Sequence, residues 1–118
     1  MYGLKREIDL TFLQGRELIQ VAIGMYQVIF NFDGDVSISI EGQFEHTSKV
    51  NSSEWRPGNP AMAVTTVNLL SAKVEAVHGQ EDGTLKLTFS NGDRLVIRDA
   101  STEYESYQIS RRGETIIV

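Results

Sequence analysis

Hydrophobic and polar residues alternate along most of this chain at the period of two that turns one face of a β-strand to a core and the other to water. In Met25-Tyr26-Gln27-Val28-Ile29-Phe30-Asn31-Phe32 the residues Tyr26, Val28, Phe30 and Phe32 share a face, and Val36, Ile38 and Ile40 alternate with Ser37 and Ser39. Asp33-Gly34-Asp35 between them suits a tight hairpin, because glycine accepts positive φ. The design returns where Leu85, Leu87 and Phe89 alternate with Lys86 and Thr88 and Asn91-Gly92 turns the chain into Arg94-Leu95-Val96-Ile97. Strands over 17–23 and 73–79 should precede the two hairpins, and strands over 104–110 and 115–118 should end the chain.

The stretch 51–60 breaks this rhythm. It holds both prolines, Pro57 and Pro60, with several turn formers, and is expected to be a linker. Asn59 suits a helix N-cap and Pro60 a first helical position, which predicts a short helix over 61–70 with Ala63, Val67 and Leu70 on one face. The β-branched run Val64 to Val67 weakens that helix.

An internal echo runs through the pattern. Leu13-Gln14-Gly15-Arg16, Phe30-Asn31-Phe32-Asp33-Gly34-Asp35 and Phe44-Glu45-His46-Thr47-Ser48 are matched in order by Leu70-Ser71-Ala72-Lys73, Phe89-Ser90-Asn91-Gly92-Asp93 and Tyr104-Glu105-Ser106-Tyr107. The expected fold is mainly β, with α+β as the alternative. Two repeated antiparallel β-meanders, about 10–50 and 68–118, would pack as a sandwich or open barrel with a short central helix, all in one domain over 1–118.

Composition narrows the function classes. The 118 residues carry 16 acidic and 11 basic side chains, a formal charge of -5, and the basic residues are scattered rather than clustered. Nucleic-acid binding is therefore not expected. With no cysteine, disulfides, thiolate metal sites and cysteine nucleophiles drop out. The charged opening Lys5-Arg6-Glu7 is unlike a secretory signal and no apolar run is long enough to span a membrane, so a cytoplasmic protein without membrane contact is expected.

Candidate chemistry is sparse. His46 and His78 are the only histidines, each with carboxylates nearby in sequence, yet neither has a metal-ligand spacing such as His-Glu-x-x-His, and ordinary surface histidines are the expectation. Asp33-Gly34-Asp35 and Asp93 do not form a calcium loop. Glu45 and Glu105 occupy matching places in the echo, where a pseudo-twofold axis would make them the paired carboxylates of a hydrolase; as alternating polar strand residues they would simply face water. Trp55, followed by Arg56, is either an interface anchor or a lid folded back over the core. Serine-hydrolase, phosphate-loop and dinucleotide motifs are absent. No catalytic residue, metal site or cofactor is assigned, and the candidate binding set is Glu45, His46, Trp55, Arg56 and Glu105.

Leu13-x-Gly15-Arg16, the hairpin Leu87-Thr88-Phe89-Ser90-Asn91-Gly92-Asp93 and Tyr104-Glu105-Ser106-Tyr107-Gln108-Ile109 resemble a set of small bacterial proteins of unknown function. Some acidic proteins of this kind are similar to immunity proteins encoded beside toxins. The resemblance implies a bacterial β protein and assigns no site residue. Together with the negative charge it favours a non-enzymatic protein-binding module, of immunity or inhibitor type. The alternatives are a small-molecule binder or weak hydrolase with its site between the halves, and a homo-oligomer pairing through an edge at 37–40 or 115–118.

Overall fold

Period-2 alternation produces most of the expected strands, residues 104–105 of the one expected over 104–110 lying outside the described residues, and the computed structural model, which describes residues 9–99 and 106–118, arranges them in two antiparallel sheets of five strands each. In chain order the elements are η1 (Thr11–Leu13), β1 (Leu18–Ile23), β2 (Val28–Phe32), β3 (Val36–Ile40), β4 (Gln43–Thr47), β5 (Ser52–Trp55), η2 (Pro60–Leu69), β6 (Val74–Gly79), β7 (Leu85–Phe89), β8 (Arg94–Arg98), β9 (Tyr107–Arg111) and β10 (Glu114–Ile117). One sheet runs β1-β2-β3-β9-β10 and the other β5-β4-β8-β7-β6. The sheets form a sandwich and close no barrel. Phe30 of the first meets Phe44 of the second edge-to-face at 5.5 Å inside the core.

Each half contributes a three-stranded meander to one sheet and then sends its last two strands to the other. β4 leaves β3 to pair with β8, and β9 leaves β8 to pair with β3. The crossing from β3 to β4 is made at Glu41-Gly42, whose backbone N–H groups both donate to the Ser106 carbonyl. A Cβ at Gly42 would press on Ser106 at 3.3 Å, so the close passage suits glycine. Each of the two expected meanders is therefore split between the sheets.

The two halves repeat each other bond for bond where they meet. Glu17 bridges Lys73, its own counterpart at an offset of 56 residues. Around it the Gly15 N–H donates to Val74 O while Ser71 donates to Leu18 O, and Leu18 donates to Ala72 O while Val74 donates to Arg16 O. The Glu17 and Lys73 N–H groups are capped by the Asp33 carboxylate and the Ser90 hydroxyl, each at 3.0 Å. Even the bulges match, between Leu18 and Gln20 in β1 and between Val74 and Ala76 in β6. The backbone matching offsets the sequence echo by one residue at the lead-in: Leu13 corresponds to Leu69, and Gly15 at φ 81° to Ser71 at φ 71°.

Three expectations change. The supposed linker 51–60 holds β5, a polar edge strand whose sequence Ser-Ser-Glu-Trp lacks an apolar alternation. The central helix is a 3-10 helix, so its buried face recurs every third residue as Ala63, Thr66 and Leu69, while Val67 and Leu70 point outward. Finally, 37–40 lies in β3, hydrogen-bonded on both sides by β2 and β9; of the two proposed pairing edges only that of β10 is a sheet edge.

Candidate functional site

Matching the strands by register exposes one place where the halves differ in chemistry. Ile40 pairs with Tyr107 as Ile97 pairs with Phe44, so Tyr107 corresponds to Phe44, and two residues on Ile109 corresponds to His46. In one sheet Ile109 lies between Ile38 and Ile116. In the other His46 lies between Leu95 and Ser53. Across the first hairpin Phe32 faces Val36, and across the second Phe89 donates to the carbonyl of Asp93, which puts a carboxylate where the first half has a buried valine.

His46 is thus an inward-facing strand residue with 4% of its surface exposed, not the surface histidine expected. Its Nε2 lies 2.8 Å from Asp93 Oδ2 and its Nδ1 2.9 Å from Thr65 Oγ1, which in turn is 2.9 Å from Ser53 Oγ. A carboxylate only accepts, so Nε2 carries the proton; in the neutral ring Nδ1 then accepts from Thr65, and Thr65 accepts from Ser53. With that tautomer the hydrogen bonds of Ser53, Thr65, His46 and Asp93 run in one direction. The Asn91-Gly92 turn holds Asp93 in place, its N–H donating to Asn91 Oδ1 at 3.0 Å. The 3-10 helix delivers Thr65, since residues three apart align along it and Thr65 and Asn68 form the row beside the buried one.

These residues wall a polar cavity of about 100 Å³, completed by Ser48, Val50, Asn51 and Asn68. Within the cavity wall Asp93 is the only carboxylate, and its Oδ1 accepts no hydrogen bond from the described residues. No group of three or more His, Asp or Glu side chains able to hold a metal occurs among the described residues.

The other sequence candidates scatter. Glu45 faces away from the core and pairs with Arg98 at 3.3 Å. Arg56 pairs with Glu54 at 2.7 Å on the surface. Trp55 is fully buried, stacked on Phe44 at 5.3 Å, so it is the lid and not an exposed anchor; its Nε1 finds no partner among the described residues. Glu105 lies outside the described residues, and the register makes Gln108, not Glu105, the counterpart of Glu45. His78 is exposed on β6 opposite Lys86. Sequence reasoning missed Asp93, Thr65 and Ser53 as partners of His46. A signal existed, because Asp93 falls two places before Leu95, on the same alternating row, which turns inward.

A second feature is apolar and exposed. Val64, Val67 and Leu70 form the outer row of η2 and its end, with 54%, 44% and 41% of their surfaces in solvent. Leu70 adjoins β1 through the bond from Ser71 N–H to Leu18 O, beside the exposed bulge residue Ile19. The exposed turn residues Met25 and Tyr26 are tied to the approach of η2 by the Gly58 N–H to Met25 O bond of 2.7 Å. No helix is long and apolar enough to cross a membrane among the described residues.

Residues 10–118 match the model of a family of unknown function, DUF6188, and the chain belongs to that family. No curated protein and no solved structure matches it.

Proposed function

We propose that this member of DUF6188 is a non-enzymatic protein-binding module that docks a partner on the outer face of η2 and the adjoining β1 edge. The observation that carries this reading is the row Val64, Val67 and Leu70: large apolar side chains, 54%, 44% and 41% exposed, aligned along one outer face of η2, where a monomeric protein ordinarily spreads them singly. The net charge of -5 favours a partner with a basic rim, as in an inhibitor that associates quickly by electrostatic attraction. The hydrogen-bond chain at His46 supports the non-enzymatic part, because the Thr65 hydroxyl is already engaged on both sides.

The test is affinity capture from the source cell's lysate with the wild-type chain and with Val67→Asp, at a position with 44% of its surface in solvent, the fold of the variant being checked by its NMR spectrum. A basic protein retained by wild type, and lost from the variant, supports the reading. Equal retention by both removes the η2 face from it. Sedimentation of the purified chain separates self-association: a dimer dispersed by Val67→Asp would make the partner a second copy.

A further inference from the structure

We propose that the cavity beside His46 is a socket for a lysine side chain of the bound partner, with Asp93 Oδ1 as the anion that receives its ammonium group. The inference rests on the protein-docking reading, since η2 supplies both the apolar outer row and, through Thr65 and Asn68, part of the cavity wall.

The charge of the site points to a cation. Asp93 carries the only carboxylate in the lining, and no lysine or arginine lines the cavity; Lys49 passes outside, its stem over Gly92. His46 offers the cavity no proton, because both ring nitrogens are engaged by Asp93 and Thr65. Asp93 itself is 92% buried by residue, so its charge acts in a poorly solvated place and is felt strongly by a cation that enters.

The geometry selects ammonium over guanidinium. An arginine fork binds best to two oxygens of one carboxylate, whereas Oδ2 is held by His46 and only Oδ1 is free. A compact ammonium with three donors fits one carboxylate oxygen plus the side-chain carbonyls of Asn51 and Asn68, which line the cavity and accept no hydrogen bond from the described residues. About 100 Å³ is room for roughly three waters, or for an ammonium with its last methylenes. Val50, 85% exposed at the edge of the cavity, supplies apolar surface for the stem.

The experiment is an NMR titration of the full chain at low salt with N-acetyl-lysine methylamide, compared with the arginine and norleucine analogues and with n-butylamine. Lysine is expected to saturate in about the millimolar range, as one partly buried ion pair does, and to move the Asn51 and Asn68 side-chain amides and the His46 ring. Arginine should bind at least several-fold more weakly and norleucine not at all. Asp93→Asn keeps an oxygen to accept from His46 but turns an NH₂ toward the cavity, and should weaken lysine at least tenfold with a folded spectrum. The titration uses the free analogue without any partner, so failure of the docking face, read by capture, and failure of the socket, read by these shifts, are distinguished. Absence of lysine-specific shifts, or equal binding by Asp93→Asn, overturns the proposal. Tighter binding of n-butylamine than of the lysine analogue reassigns the cavity to a free amine, and covalent labelling of Thr65 by a fluorophosphonate would make the cluster a nucleophilic site instead.

Discussion

Ile109 and His46 occupy the same position of the same fold in its two halves, and their surroundings have opposite chemistry. Ile109 packs between Ile38 and Ile116 in a dry row; His46 sits between Leu95 and Ser53 and holds Asp93 and Thr65. Since the apolar version builds an equivalent pair of strands, the backbone does not require the polar one. A buried carboxylate with its hydrogen-bond partners is often no more stabilising than well-packed apolar residues of similar volume, because desolvation offsets the attraction. The cluster is therefore better understood through what it presents to the cavity than through what it adds to the core.

Removing one member of the cluster should break the comparison most. His46→Ala deprives Asp93 of its donor and opens a hole beside Leu95, and denaturant unfolding should show a loss of about 3 kcal/mol. Next comes Tyr107, the counterpart of Phe44. Its hydroxyl donates to the Gly83 carbonyl at 2.7 Å, and Tyr107→Phe should cost about 1 kcal/mol at neutral pH. Burial, with the nearby Asp82 charge, pushes the Tyr107 phenol above its ordinary 10.0, so the folded chain keeps the proton after the unfolded chain has released it. That contribution is complete below pH ~10 and falls away as pH rises above it. The wild type should thus lose stability at alkaline pH more steeply than Tyr107→Phe.

The paired lead-in turns sharpen the comparison at smaller cost. Ser71 adopts at φ 71° what Gly15 adopts at φ 81°. Ser71→Gly should gain a few tenths of a kcal/mol up to about 1, and Gly15→Ser should lose about as much, because only glycine holds left-handed backbone without strain. The smallest effect is expected from converting one end into the other. His46→Ile with Asp93→Val and Thr65→Val should stay within about 1 kcal/mol of wild type in thermal unfolding. A loss as large as that of His46→Ala alone would show that the cluster is structural.

Strands, hairpins and the β class were legible because alternation and turn glycines are local signals. Gly34 and Asp35, at φ 71° and 61°, supply the left-handed residues of the three-residue turn between the paired Phe32 and Val36. What period two cannot encode is which strand a neighbour will be, so the exchange of β4 and β9 between sheets was invisible. β5 was hidden because an edge strand needs little apolar surface, and Ser52 to Glu54 supply none. The face of η2 was misjudged because 3.6-residue spacing selects Ala63, Val67 and Leu70, whereas 3-10 winding buries Ala63, Thr66 and Leu69. Of the candidate site, His46 was named, but its partners were sought among neighbours in sequence. The carboxylate that matters lies 47 residues away and is brought in by the β4–β8 pairing.

The exchange of strands has a consequence for how the chain acquires its structure. Neither half can finish a five-stranded sheet from its own residues, so the native pairings of β3 with β9 and of β4 with β8 both close long loops. Such non-local topology slows folding, because loop closure must be met before the distant pairings form. It also means that a chain severed at the exposed Gly58 yields two fragments with complementary vacancies. Each lacks the outer two strands of its sheet and carries those the other needs, so the fragments should remain unstructured apart and fold on mixing.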